Sequence, residues 1–434
     1  MNTLTYIASG ISLFTLAAHF LRNGEYGLLI VALCFFALMF VKRQWVLHIL
    51  SLFLLYGSVN WLLTAYEIHS VRVMLGENSS RMFIILGAVS GFSLFSAALL
   101  QLKKFKSRYR KNQYDIFIAA SFVLTAALII TATMKVSFPI LLLDRYLAGF
   151  GWIETFFLSL YASFITETML DKSKNAKLRR KIWMLFSIVF FVQLILGLVG
   201  YEVFLMTGKL HLPVPAVILL GPLYRWELSF MVFLFLSSVI LVGPAWCSHL
   251  CSLGIWDNLA ADKQSKPRNV KYKVWQIRIG IFLLVSLSAI AMNILGISGL
   301  TATIGGLLFG VLGIVVMVVY SKKSGNMIHC TMYCPIGLLA VFFGKINPFR
   351  IRITDACDNC MKCHFACRYN ALSFKDIQNQ KPNINCTLCG DCISPCEQSA
   401  INYQLFKLKP DVSRAIFIAL IVSVHAVFLG LGRI

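Results

Sequence analysis

Long apolar runs separated by short polar stretches occupy most of the chain. They lie near residues 4–21, 27–41, 45–66, 82–101, 114–134, 150–170, 183–205, 226–246, 279–297, 302–320 and 413–431. A helix needs about 20 apolar residues to cross a hydrocarbon layer about 30 Å thick, because each residue rises about 1.5 Å. The pattern therefore predicts about eleven spans, with 27–41 short for one. Between about 350 and 410 the long runs stop, and a polar stretch rich in cysteine replaces them. The expected fold class is a polytopic α-helical membrane protein with a compact domain inserted before its last span.

Charge then orients the spans. Lys103, Lys104, Lys106, Arg108, Arg110 and Lys111 form one basic stretch, and Lys172, Lys174, Lys177, Arg179, Arg180 and Lys181 a second. Lys263, Lys266, Arg268, Lys271 and Lys273 form a third. If the spans alternate, these share a side with Lys42, Arg43, Lys322 and Lys323, and the side richest in Lys and Arg is cytoplasmic. The segments 67–81, 135–149 and 206–225 then fall outside. The N-terminus and the inserted domain are expected in the cytoplasm and Ile434 outside, in a membrane of the bacterial cytoplasmic (inner) type. Met1–Tyr6 lacks a basic stretch and a small-residue cleavage site, so the first span is expected to stay as an anchor.

Composition narrows the class further. Of the 434 residues, 58% are hydrophobic, above the roughly 45–50% of soluble domains. The formal net charge of +22 raises the question of nucleic acid. The basic residues sit in short loops between apolar runs, which sets topology and does not build a groove-reading element. Nucleic acid is therefore excluded as a partner, and membrane lipid is expected.

Twelve of the thirteen cysteines fall into ligand-like spacing. Cys357, Cys360, Cys363 and Cys367 read C-x2-C-x2-C-x3-C, and Cys386, Cys389, Cys392 and Cys396 repeat it. This is the run that ligates paired [4Fe–4S] clusters in bacterial-type ferredoxins, where the fourth cysteine serves the other cluster. One cluster would take Cys357, Cys360, Cys363 and Cys396; the second would take Cys386, Cys389, Cys392 and Cys367. Zinc is the rival, but zinc motifs pair their cysteines. Proline usually follows the fourth cysteine; here Arg368 and Glu397 do. A reducing cytoplasm suits thiolate ligands. Cys34, inside an apolar run, reads as a small packing residue.

Two further pairs, Cys247 with Cys251 and Cys330 with Cys334, follow predicted spans. A spacing of four would put both thiols of a pair on one helix face. Three readings stand: a third iron–sulfur site, redox-active dithiols, or small residues packing a helix corner.

A C-x3-C ending a span, repeated two spans later as Cys-Pro, then the double ferredoxin run, resembles the NapH/NosR/CcoG-type membrane polyferredoxins. The resemblance covers roughly 180–405 and is closest to the NapH type, with an extended N-terminal membrane part; Ser252 stands where that family usually has proline. It implies electron flow between the quinone pool, or cytoplasmic donors, and a periplasmic redox partner or metal-site maturation. The domains expected are 1–113, a membrane part with no chemical motif; 114–349, the membrane domain with both pairs; 350–410, a cytoplasmic 2[4Fe–4S] ferredoxin domain; and 411–434, the final span.

Weaker signals remain. Ser298-Gly299-Leu300-Thr301 faintly resembles a motif carrying covalent FMN on threonine, which makes Thr301 a flavin candidate; its plain reading is a small-residue turn. His19, His48 and His425 lie in or near spans and are haem candidates. His249 and His329 adjoin the cysteine pairs and read as hydrogen-bond partners. Glu154 is a candidate proton acceptor for a quinol.

The function expected is iron–sulfur electron transfer linking cytoplasmic clusters, the membrane (with quinol or quinone) and a periplasmic redox partner, as in a quinol dehydrogenase component. Two alternatives stay open: a maturation or regulatory factor for a metal centre, and a subunit of an ion-translocating complex. No charged series crosses the predicted spans, which counts against the last.

Overall fold

The computed structural model describes residues 2–204, 213–228, 230–268 and 274–431. The chain divides into two compact units, Met1–Phe164 and Ile165–Ile434. The first extends past residue 113, the boundary expected for the motif-free part.

In the first unit, α1 (Asn2–Arg22), α2 (Tyr26–Leu38), α3 (Gln44–Met74), α4 (Ser80–Leu100) and α5 (Asp115–Lys135) precede α6 (Gly151–Met169), whose last turn lies beyond Phe164. Small hydroxyl residues knit the helices. Ser12 and Ser96 meet at 2.9 Å, and Ser58 and Ser90 at 2.8 Å. Such contacts let apolar helices approach closely where no hydrophobic effect drives them together.

In the second unit, α7 (Asn175–Leu198), α8 (Val217–Arg225), α9 (Phe230–Val242), α10 (Gly254–Ala261), α11 (Val274–Ile294), α12 (Gly299–Val316) and α13 (Pro335–Phe343) lead into the cysteine-rich domain. That domain carries β1 (Phe349–Ile353), α14 (Phe374–Gln378) and β2 (Ile401–Leu405), and α15 (Pro410–Leu431) ends the chain. The two strands pair antiparallel, Phe349 opposite Leu405 and Ile353 opposite Ile401. Their inward residues are buried in a strict alternation, so one face packs on the chain and one faces solvent. Tyr403 stacks on Phe417 of α15 at 4.6 Å, and Phe349 meets the same ring edge-on at 5.2 Å.

Nine helices among the described residues are long and apolar enough to cross a membrane, against about eleven expected. Two expected spans account for the difference. Helix α2 has 13 residues, about 20 Å of rise, short of a 30 Å layer. Helix α6 has 19 residues, but Glu154, Thr155, Ser159, Ser163, Thr166 and Glu167 dilute its apolar face.

One break in the second unit positions the chemistry. Gly243 turns α9 with a φ of 65°, and Pro244 next to it has no N–H to donate. The freed carbonyls are not orphaned: the Asn347 side-chain amide donates to Ile240 O at 3.0 Å and to Leu241 O at 2.7 Å. The chain then enters the short Trp246–His249 helix that carries Cys247. Downstream, α12 loosens into a π turn at Met317–Ser321, and a second π turn at His329–Tyr333 carries Cys330. Such turns often sit at functional sites.

Candidate metal centres

All thirteen cysteines are free of disulfides, and most are buried or half-buried. Twelve of them gather in the second unit; Cys34 sits apart on α2, half-buried.

The two ferredoxin-like runs are built alike, offset by 29 residues. Cys357 N donates to Thr354 O and Cys386 N to Asn383 O, each at 3.1 Å. The middle cysteine of each run lies between residues of positive φ: Asn359 and Met361 around Cys360, Leu388 and Gly390 around Cys389. That left-handed backbone wraps the loop round a point. Asn370 and Ser399, each three residues past a fourth cysteine, repeat the device. Two reciprocal bonds cross the repeats: Thr354 N to Ala400 O and Asn383 N to Ala371 O, both at 2.9 Å. Each repeat's loop is thus tied to the other repeat's tail. Accordingly Cys357, Cys360, Cys363 and Cys396 line one cavity, with Asp358, Lys362 and Gln398 at its rim. The thiols that bear most strongly on Cys392 are those of Cys389, Cys386 and Cys367.

The membrane-end pairs also form one cluster. Cys330 is influenced by Cys251, Cys334 and Cys247 together. The expectation that each pair shares one α-helical face is corrected here. Cys251 lies past the end of its helix, and Cys334 is extended at the start of α13. Cys251 N bonds to Trp246 O and Cys334 N to His329 O, both five residues back. The wider turn takes the second cysteine of each pair off the helical face of the first. A glycine three residues after each second cysteine completes the turn. A Cβ on Gly254 would stand 2.9 Å from Cys247 O, and one on Gly337 2.7 Å from Cys330 O. The pairs are therefore two copies of one turn, a repeat that sequence reading missed because only five or six positions carry it.

Burial disfavours bare thiolates at the second ferredoxin set and the membrane-end set, and at Cys363 of the first. Burial, with mutual thiolate repulsion added, pushes the Cys367, Cys386 and Cys389 thiols up to about 12 and Cys363 to about 11. Burial likewise lifts Cys251 to about 12 and Cys330 well above the ordinary range. A metal core reverses this by pairing with the thiolate form. Arg278, 3% exposed, lies over the membrane-end set, and its ionisable neighbours are Cys247, Cys334 and Cys330. Its guanidinium reaches Asn385 at 3.2 Å, while its Nε has no partner. A buried cation without a carboxylate is costly; a thiolate-bound centre beside it supplies the missing negative charge. Among the described residues, no three His, Cys, Asp or Glu side chains close tightly enough to hold a single ion. Four thiols per set is the donor chemistry of a four-iron cluster, whose thiolates sit at outer corners, further apart than the ligands of a single ion.

Three residues that the sequence reading did not single out organise the ground between the sets. Arg179 was read as a topology-setting cation, but it is fully buried and forks onto Asp391, between Cys389 and Cys392. Arg278 reads in sequence as a span boundary. Asp257, buried, accepts from Cys330 N at 2.9 Å, and burial raises its carboxyl to about 6.

The weaker candidates find other roles. Ser298 caps α12, accepting from Thr301 N at 3.3 Å, with the two hydroxyls 3.0 Å apart. That cap accounts for the Ser-Gly-Leu-Thr pattern around Thr301. His19 packs on Trp61 at 4.4 Å, about 20 Å along α3 from His48. His425 Nδ1 lies 3.2 Å from His249 O. His249 meets Ala245 O, whereas buried His329 finds no partner for Nδ1. Glu154 accepts from Leu143 N at 2.9 Å, which holds a loop.

Two stretches of the chain, 225–270 and 303–354, match the family model described as "4Fe-4S binding domain". Each stretch contains one membrane-end pair. An uncharacterized protein of Methanocaldococcus jannaschii is 23% identical over 172 residues, covering 38% of this chain and 66% of that one. The Escherichia coli protein YccM, whose name proposes electron transport, is 27% identical over 236 residues, covering 49% of this chain and 62% of that one. The chain thus spans less than two thirds of either relative. No solved structure matches significantly. These likenesses support 4Fe–4S binding and stop short of a NapH or NosR subtype. The chain is a multi-helix, membrane-type protein with a 4Fe–4S binding domain, similar over about half its length to a protein named for electron transport.

Proposed function

We propose that the chain links a cytoplasmic electron donor or acceptor to a quinone-type carrier within the membrane. In this reading twelve cysteines hold three iron–sulfur centres. One observation carries it: Cys330 of the membrane-end set and Cys367, Cys386 and Cys389 of the second ferredoxin set pack against one apolar cluster, built on Trp183, Ile255, Met327, Tyr369 and Ala371. An iron–sulfur centre, when bound, supplies reversible one-electron storage. The residues around it exclude water and hold the sets close.

A membrane-side pocket supports the quinone part. A cavity of about 590 Å³ opens between α8, α11 and α12, mostly apolar, with Tyr224, Arg225, Ser288 and Thr303 as its polar groups. Its size and lining suit a small hydrophobic carrier with a polar head. Phe309 lines it and stacks on Tyr333 at 4.5 Å, next to Cys334. Tyr333 is fixed by donating to Phe309 O at 2.7 Å. The cysteine sets share an end of the helices with Lys172, Arg180, Lys266 and Lys322, which supports a cytoplasmic ferredoxin domain.

The test is anaerobic mixing of purified protein with a reduced quinol analogue, followed by optical and EPR spectra. Reduction of the centres by quinol supports the reading. Centres reducible by dithionite but inert to quinols of every tested class would sink it.

A further inference from the structure

Tyr369 is 3% exposed, and its hydroxyl has no hydrogen-bond partner. Burying a hydroxyl without a partner is unfavourable, so its position calls for a reason. The ionisable groups bearing on it are, in order, Cys330, Arg179, Cys389 and Cys247. Cys330 of the membrane-end set and Cys367, Cys386 and Cys389 of the second ferredoxin set pack against its cluster, so it stands between the two sets. Its surroundings are dry: Trp183, Ile255, Ala261 and Met327 share its cluster.

The repeat explains how it comes to be there. Tyr369 follows Cys367 by two residues, as Gln398 follows Cys396. Gln398 lines the cavity of the first set. The equivalent position in each repeat thus lies beside the thiols held by the other repeat's loop, and the buried copy also packs with Cys330 of the membrane-end set. In the outer copy it is an exposed glutamine. In the inner copy it is a buried tyrosine, held by left-handed Asn370 after it and by Met327 N bonding to Arg368 O before it, at 2.8 Å. Arg179 sits over Trp183 of the same cluster at 5.1 Å.

We infer that the Tyr369 hydroxyl donates a hydrogen bond to a sulfur of the centre held by Cys247, Cys251, Cys330 and Cys334, and so sets that centre's potential relative to its neighbour. The inference rests on the proposed loading of the membrane-end set. A donor to a cluster sulfur stabilises the more negative, reduced form. Its removal shifts the potential downwards.

The experiment is an anaerobic redox titration of the purified holoprotein, followed by EPR, on wild type, Tyr369→Phe and Gln398→Ala, with iron and sulfide counted in each. Tyr369→Phe keeps the ring and the packing. The expected result is unchanged iron, one centre shifted to lower potential in Tyr369→Phe, and that same centre unmoved in Gln398→Ala. Unchanged iron with every potential unmoved in Tyr369→Phe overturns the inference and leaves the loading intact. Wild-type iron of only about eight per chain, the content of two four-iron clusters, overturns the loading and the inference together.

Discussion

Arg179 of α7 forks onto both oxygens of Asp391, with Nε to Oδ1 at 2.9 Å and Nη2 to Oδ2 at 2.6 Å. Its third arm donates to Ser248 O at 2.8 Å. One fully buried side chain thus joins a membrane helix, the turn carrying Cys247 and the loop carrying Cys389 and Cys392. Removing one partner of such a pair typically costs about 3–5 kcal/mol. Arg179→Met should lower the thermal midpoint sharply and loosen the ferredoxin domain in limited proteolysis. Arg179→Met with Asp391→Leu should recover part of the loss, because no buried charge is then left alone.

The reciprocal bonds between repeats predict cross-ligation. Cys396→Ser should abolish the centre of Cys357, Cys360 and Cys363, and Cys367→Ser that of Cys386, Cys389 and Cys392. Each variant should lose about four irons per chain, with different EPR signals surviving. Loss of the same signal in both would mean that each run ligates alone.

Gly254 and Gly337 leave no room for a side chain beside the carbonyls of Cys247 and Cys330. Gly337→Ala should displace Cys330 and Cys334 and lower the iron content, while the signals of the ferredoxin domain persist. Gly337→Ala with full iron would contradict the turn described.

Ser298→Ala removes the cap of α12 and should destabilise by about 1 kcal/mol. Flavin content, measured by fluorescence after denaturation, should be negligible in wild type and variant alike. Covalent FMN lost with Thr301→Ala would restore the flavin reading.

Much of this was legible in the sequence where spacing alone carries the chemistry. Eight cysteines in two C-x2-C-x2-C-x3-C runs specify both loops, since a tight wrap round a small volume is local. The apolar runs specified most helices, but Glu154 and Glu167 weakened one and the brevity of 26–38 weakened another. Arg179, Arg278 and Tyr369 were not legible. Their roles depend on partners far away in sequence: Asp391 lies 212 positions from Arg179, and Asn385 lies 107 from Arg278. A lone arginine at a span end also carries the same signal whether it faces water or a buried carboxylate. The C-x3-C turns were seen, but their five-residue hydrogen bond was not, because a spacing of four looks α-helical.

The most direct test of the account is the iron and acid-labile sulfide content of anaerobically purified protein, compared with a Cys330→Ser, Cys334→Ser double variant. The account predicts ten to twelve irons per chain, depending on whether the membrane-end centre holds two or four, falling to about eight in the variant. About eight in both would contradict it.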